Sequence, residues 1–420
     1  MIYKLFNPMV GWAMRRYFRN IHVSGLEHIP KDTAVIFACN HPSSFMEPML
    51  LASVQPRKLF YLVRGDIFKG KLIKWFLKET HQIPIFRRRD GITNLKQNEK
   101  TFRICYKMLL DHGALIIFPE GSTKRVKQLR PLQRGIWRLA FGTLARDRNL
   151  DIVIVPVGVN FTDLDHIRSE AMISFGAPIP LNQYYDAYEA DKPGTMRKLT
   201  PMLYEKMRPH VVHYDVEKLE VSGEPLLALT RNQTPDKFKQ FIHSRKQLNA
   251  EIRAASSYSS MNGGERELLN AEVQSYLEKL PDGVQTDYIV AQKGKPASWS
   301  KLGLLAIPGI IGILLGYLPY KFAWWGQQKL VNNDPPFHAP IRLAIFLLTV
   351  LLLVGISFLV LLPFLGVLAL SVFLAPLLIV LGARLFDQIL WTKASWRLMH
   401  SQLDIDALMK ERERILSKIL

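Results

Sequence analysis

The pattern of apolar and polar positions divides the 420-residue chain into three main regions, as its length favours. Residues 30–180 alternate short apolar runs with longer amphipathic ones, which is typical of an α/β layer fold. From 214 to 295 the chain is polar and lysine-rich, and we expect a helical extension or linker there. The region 296–420 is strongly apolar and predicts a membrane region.

The α/β region, 21–213, is predicted to form a mixed, mostly parallel sheet flanked by helices. Its short apolar runs predict strands at Ala34–Cys39, Lys58–Leu62, Ile83–Phe86, Ala114–Phe118, Ile152–Val159 and Met172–Phe175. Apolar residues at helical spacing predict helices over Asn94–Asp111 and Pro131–Arg146, and in the polar stretch over Pro235–Ala255 and Gly264–Leu280.

The longest uncharged run, Leu343–Ala383, is too long to cross a membrane once. Its 41 residues would make a helix about 60 Å long, twice the hydrocarbon thickness of about 30 Å. We therefore predict a helical hairpin with spans near 343–361 and 365–383, turning at Pro363 and Gly366, and a cytoplasmic C-terminal helix after it.

The apolar segment 302–320 is interrupted by two prolines and four glycines, and we expect it to be re-entrant or interfacial. Lysines and arginines flank both this segment and the hairpin. If all of them stay in the cytoplasm, as positive residues prefer, then 302–320 does not cross. Three simple spans are the alternative interpretation. The predicted location is the cytoplasmic face of the inner or plasma membrane.

The first 20 residues lack the continuous apolar core of a signal peptide. Apolar residues such as Trp12 on one side and a basic end with Arg15, Arg16 and Arg19 predict an amphipathic helix over 1–20. This pattern favours a helix lying in a membrane interface, and a helix packed on the core is the alternative.

Charge narrows the choice of partners. Lys and Arg outnumber Asp and Glu by 55 to 36, a net charge of +19, which indicates an anionic partner: nucleic acid, anionic lipid or a phosphorylated substrate. No recognised nucleic-acid module is present, so we predict no nucleic-acid partner. Cys39 and Cys105 lie in apolar runs and are predicted to be buried free thiols, which suits a reducing compartment.

Polar groups follow four of the predicted strands, each at the strand's carboxyl end. They are Asn40-His41, Arg87–Arg89, Pro119–Thr123 and Asn160. Ligands of open α/β sheets bind outside the carboxyl ends of the strands, so we expect these groups to converge on one cleft. The arginines can bind phosphate bidentately, although a solvated basic face is the plainer interpretation for most nearby lysines.

His41 is a candidate general base, because a histidine can remove a proton from an alcohol when a carboxylate fixes its tautomer. Glu47 is the acidic residue nearest in sequence. On one helix the two would lie about 120° apart and would not meet. Pro42 favours the first turn of a helix, which leaves His41 in the loop and lets Glu47 reach back. A packed or surface histidine is the alternative.

As a set, these motifs resemble the glycerolipid acyltransferase superfamily, typified by 1-acylglycerol-3-phosphate and glycerol-3-phosphate acyltransferases. The resemblance covers residues 20–180. Two features depart from the usual motifs: the carboxylate is Glu and stands one residue later than the usual Asp, and neither His81 nor Gln82 is the glycine that opens the second motif. The matching segments are Gly25-Leu26-Glu27, Asn40-His41…Glu47, Ile83–Arg87, Phe118-Pro119-Glu120-Gly121-Ser122-Thr123 and Val155-Pro156-Val157.

The resemblance implies that His41 is the general base and that Glu47 orients it. The acceptor oxygen would attack acyl-CoA or acyl-carrier protein directly, with no metal or redox cofactor. Lysophosphatidate is the first-choice acceptor, and glycerol 3-phosphate and other lysophospholipids are the alternative acceptors. The alternative function is that of a basic membrane-tethered lipid-binding protein without catalysis. The substrate-binding residues implied are Asn40, Arg87, Arg88, Glu120, Gly121, Ser122 and Lys124.

Overall fold

The computed structural model describes residues 2–86, 98–233, 241–292, 299–331 and 333–420. The chain forms two compact units. The first comprises Met1–Asp163, Ser169–His213 and Phe238–Leu248, and the second comprises Leu164–Arg168, Tyr214–Lys237 and Asn249–Leu420.

The first unit is built on one sheet. In chain order its strands are β1 (Asn20–Ser24), β2 (Ala34–Cys39), β3 (Leu59–Arg64), β4 (Gln82–Ile85), β5 (Ala114–Ile117), β6 (Ile152–Phe161), β7 (Glu170–Phe175), β8 (Ile179–Pro180) and β9 (Phe241–His243). Their spatial order is β4-β3-β5-β2-β6-β7-β1-β9, with β8 beside β6. Only β7 and β8 run antiparallel to their neighbour β6 among the described pairs, so the predicted mixed, mostly parallel sheet is confirmed.

Helices flank this sheet, and their apolar faces complete its core. They are α1 (Ile2–Tyr17), α2 (Met46–Val54), α3 (Lys71–Glu79), α4 (Asn98–Leu110), α5 (Gly135–Leu144), α6 (Tyr185–Ala190) and α7 (Lys192–Met207). Trp137 of α5 and Leu203 of α7 are fully buried in one cluster with Ile36 of β2. Helix α1 contacts α2 and buries Met14, whereas Trp12 stays partly exposed. The predicted N-terminal helix therefore packs on the domain with part of its surface.

The second unit is helical. Its helices are α8 (Leu219–Arg231), α9 (Lys246–Ser260, which begins in the first unit), α10 (Gly263–Lys279), α11 (Val284–Ala291), α12 (Trp299–Val331), α13 (His338–Leu365), α14 (Ala375–Met399) and α15 (Ile405–Leu416). The predicted helix Pro235–Ala255 is wrong over residues 241–245. The backbone of 241–243 instead forms β9, because the free edge of β1 offers it parallel hydrogen-bonding partners.

A buried polar network joins α15 to the extension. Asp287 of α11 accepts hydrogen bonds from the Tyr276 hydroxyl (2.7 Å), the Asn232 amide (2.8 Å) and Arg412 Nε of α15 (2.8 Å). At the surface, Lys279 pairs with Glu411 at 2.6 Å. The buried charge of Asp287 is therefore both paired and hydrogen-bonded, which is the condition under which a buried charge is tolerated.

Helix α12 continues through Pro308 and Pro319. The expectation that 302–320 is re-entrant or interfacial stays a prediction. A Cβ on Gly312 would lie 1.7 Å from the Leu378 carbonyl oxygen, so only glycine lets α12 approach α14 this closely.

The predicted turn after Pro363 is present: α13 ends at Leu365, and Gly366 has a φ of +52°. A 3-10 segment, Gly366–Leu374, follows, and α14 begins only at Ala375 rather than at 365. By length and composition, Leu302–Val331 and Pro335–Met399 can each cross a membrane.

Candidate active site

The carboxyl ends of two neighbouring strands bring the first and third motifs together. Strands β2 and β5 pair in parallel, so the residues that follow each one lie at the same edge of the sheet. The His41 N–H donates to Glu120 Oε2 at 3.2 Å, and the His41 ring stacks on Phe118 with centroids 3.8 Å apart. The Lys124 N–H donates to the His41 carbonyl at 3.2 Å. The loop that carries His41 is thus held by the loop that follows β5.

His41 and Glu47 also meet. Helix α2 begins at Met46, which leaves His41 in the loop and places Glu47 in the first helical turn. His41 Nδ1 lies 3.6 Å from Glu47 Oε1, and the Ser43 N–H donates to the same oxygen. The Glu47 side chain is fully buried, whereas 13% of the His41 side chain is exposed. Because Nδ1 faces the carboxylate, Nε2 is the ring nitrogen left for a substrate.

The electrostatics of this pair depend on burial. Burial raises the pKa of Glu47, and the neighbouring His41 and the Ser43 amide oppose this rise. The carboxylate accepts a hydrogen bond from the Ser43 N–H and lies within ion-pair distance of His41 Nδ1. A protonated imidazole gains most from a carboxylate that has few other partners, which suits a histidine that must accept a proton during a reaction.

Glu120 organises the loop after β5. Its Oε1 accepts from the Arg130 N–H at 3.0 Å, and its Oε2 accepts from the Arg130 guanidinium at 2.5 Å as well as from His41. The guanidinium also donates to Ser122 Oγ at 2.8 Å. Arg130 was not among the predicted site residues. Nothing in the sequence distinguishes it from the other basic residues that follow Glu120, namely Lys124, Arg125 and Lys127.

Gly121 is required by the shape of the same loop. Its φ of +73° lies in the left-handed region, which disfavours residues with a Cβ. A Cβ there would also stand 3.0 Å from Gln133 Cγ.

Asn40 binds the neighbouring strand rather than open space. Its amide donates to the Val159 carbonyl at 2.9 Å and accepts from the Val159 N–H at 2.8 Å, which fixes the end of β2 against β6. Asn160 similarly bonds the backbone of His210 and Val212. Of the four predicted groups, the one with His41 and the one with Glu120 therefore lie together. Asn160 instead hydrogen-bonds backbone groups of other residues. Arg87 and Arg88 lie outside the described residues.

Comparison with known proteins gives a consistent result over this part of the chain. Residues 20–160 match the protein family described as Acyltransferase. Glycerol-3-phosphate O-acyltransferase 2 of Saccharomyces cerevisiae is 30% identical over 122 residues, 27% of this chain and 16% of that protein. The 1-acyl-sn-glycerol-3-phosphate acyltransferase of Bacillus subtilis is 30% identical over 122 residues, 29% of this chain and 56% of its own length.

Each of these relatives is therefore matched over less than two thirds of its length. Among solved structures, the 1-acyl-sn-glycerophosphate acyltransferase PlsC of Thermotoga maritima aligns with a TM-score of 0.33 and 18% identity, covering 46% of this chain and 80% of that one. Within the described residues, no group of three or more His, Cys, Asp or Glu side chains is arranged to hold a metal ion.

Proposed function

From the match of residues 20–160 to the family described as Acyltransferase, we propose that the protein transfers a fatty acyl chain from a thioester to a hydroxyl of a phosphorylated glycerolipid acceptor. The observation that carries this proposal is the pair His41–Glu47, with Nδ1 3.6 Å from the buried carboxylate at the carboxyl end of β2. That arrangement leaves Nε2 as a base and keeps its conjugate acid next to a negative charge.

The reaction follows from this orientation. Nε2 of His41 accepts the proton of the acceptor hydroxyl while that oxygen attacks the thioester carbonyl. A C–O bond forms, the C–S bond breaks, and the imidazolium returns its proton to the leaving thiolate. Glu47 stabilises the imidazolium between these steps. Burial raises the pKa of Cys39, the thiol nearest the site in sequence, well above its usual range, which argues against an acyl-enzyme on that residue.

We assign the acceptor as 1-acylglycerol 3-phosphate and the donor as acyl-CoA or acyl-carrier protein. Arg87 and Arg88, which follow β4, would bind the acceptor phosphate, because a guanidinium fork matches phosphate bidentately. Glycerol 3-phosphate is the second candidate, since the similar proteins include both kinds of acyltransferase by name. The basic residues that flank the apolar helices support a site at the cytoplasmic face of the membrane.

The test is to offer the purified full chain acyl-CoA with each acceptor in turn and to identify the product by mass spectrometry. His41→Ala should lower kcat/KM by about 10²–10⁴-fold, as expected for the loss of a general base. His400→Ala is the matched control, because His400 is an exposed histidine directly after α14, and it should leave turnover unchanged.

A second variant tests the acceptor assignment. Arg87→Ala should raise the KM for the phosphorylated acceptor and leave that for the acyl donor unchanged. Product with neither acceptor, combined with intact lipid binding, would favour the membrane-tethered binding protein instead. Turnover of His41→Ala within tenfold of the unchanged protein would refute the role of His41.

A further inference from the structure

Helix α3 exposes apolar side chains to an unusual degree. Over Lys71–Glu79, Leu72 is 74% exposed, Ile73 50% and Trp75 52%. Leu77 is the residue that α3 buries against the unit. Three exposed apolar residues within about one helical turn indicate an interaction surface rather than scattered exposed residues.

The lysines of α3 are segregated from this apolar surface. At 100° per residue, Lys71, Lys74 and Lys78 fall within an arc of about 60°, and Trp75 and Leu72 lie about 40° and 100° beyond Lys71. Ile73 lies about 100° further round, towards the buried Leu77. All three lysines are exposed. A short helix with apolar side chains on one side and lysines beside them complements an anionic lipid surface, where the apolar part enters the acyl boundary and the ammonium groups meet phosphates.

The turn that follows α3 contacts the N-terminal helix α1. His81, two residues beyond the end of α3, has its ring 4.3 Å from the ring of Tyr3 in α1. The Tyr3 hydroxyl in turn accepts a hydrogen bond from the Leu59 N–H at 3.1 Å, which ties the start of α1 to β3. Helix α1 belongs to the same unit as α3 and exposes Trp12.

From these observations we propose that α3 is a membrane-docking helix, whose Leu72 and Trp75 enter an anionic leaflet while Lys71, Lys74 and Lys78 bind its head groups. This surface belongs to the first unit, whereas the apolar helices α12–α14 belong to the second. It would hold the α/β unit itself against the lipid, independently of the acyl-transfer chemistry.

The full chain in lipid nanodiscs provides the test, because both native cysteines are buried and leave an added one free for labelling. A spin label at Leu72→Cys should collide more with oxygen, which partitions into hydrocarbon, than with a water-soluble nickel chelate. A label at Lys74→Cys, two positions along the same helix, is the matched control and should favour the nickel chelate.

Lipid composition and lysine replacement separate the possible partners. In discs of neutral lipid only, and in the triple variant Lys71→Gln/Lys74→Gln/Lys78→Gln, the Leu72→Cys label should move towards water. Equal depth in neutral and anionic discs, nickel access at position 72 equal to that at 74, or spin–spin distances that reveal a second copy seated on α3 would each overturn the proposal.

Discussion

Replacing Arg130 by methionine should destabilise the fold through the buried charge that it leaves behind. The guanidinium lies 2.5 Å from Glu120 Oε2, with the Glu120 side chain 1% exposed and the Arg130 side chain 14% exposed. Removing one partner of a buried ion pair costs about 3–5 kcal/mol. Glu120 keeps two backbone N–H donors, from His41 and Arg130. We therefore expect the lower end, about 3 kcal/mol.

A double-mutant cycle distinguishes the lost charge from lost packing. Glu120→Gln removes the charge, so Arg130→Met/Glu120→Gln should unfold within about 1 kcal/mol of Glu120→Gln alone. Unfolding free energies come from denaturant titration in mild detergent, with Arg134→Met at an exposed arginine as the control. A loss below about 1 kcal/mol in Arg130→Met, or no recovery in the double variant, would refute the assignment of Arg130 as the counter-ion of Glu120.

Three further outcomes are expected. Asn40→Ala removes the side chain that hydrogen-bonds the Val159 N–H and carbonyl, so it should lower the unfolding free energy by about 2 kcal/mol. It should also reduce kcat rather than raise the acceptor KM. A rise in KM for the acceptor alone would instead make Asn40 a substrate ligand. Glu47→Asp withdraws the carboxylate from His41 and should lower kcat about 10–100-fold, and full activity would show that the longer side chain is not needed. Glu47→Gln tests the electrostatics. Burial raises the pKa of Glu47 in the folded state, so the wild type loses stability as pH rises from the unfolded pKa of about 4.3 through the folded one. The variant lacks this titration, so its stability relative to the wild type should increase with pH over that window, and a decrease in thermal-shift measurements would contradict the shift.

The part of the site that depends on local geometry could be predicted from the sequence. The predicted placement of His41 in a loop with Glu47 reaching back from a helix is confirmed, but the helix begins at Met46, so the expectation that Pro42 lies in its first turn is wrong. The run Ala114–Phe118 likewise identified β5 and the loop after it. Both inferences use residues close together in the chain, where strand and helix propensities decide the structure.

Interactions between distant residues could not be predicted in the same way. Strand β9 has three residues and exists because β1, more than 200 positions earlier, offers an edge. Which of the basic residues after Glu120 forms its ion pair depends on the fold of the loop, and the structure shows that it is Arg130. The close approach of α12 to α14 at Gly312 depends on residues of both helices, and no pattern within α12 alone reveals that contact.

The hydrogen bond between Arg412 and Asp287 bears on how many times the chain can cross a bilayer. Asp287 lies in the helix before the apolar region and Arg412 in the helix after it, and both are buried in the same helical unit. Because these two helices touch, we expect the chain to leave and return on one side of any bilayer that its apolar helices enter. Between residues 292 and 404 we therefore predict an even number of crossings. A route with three simple spans would place α11 and α15 on opposite sides of the bilayer and break the pair.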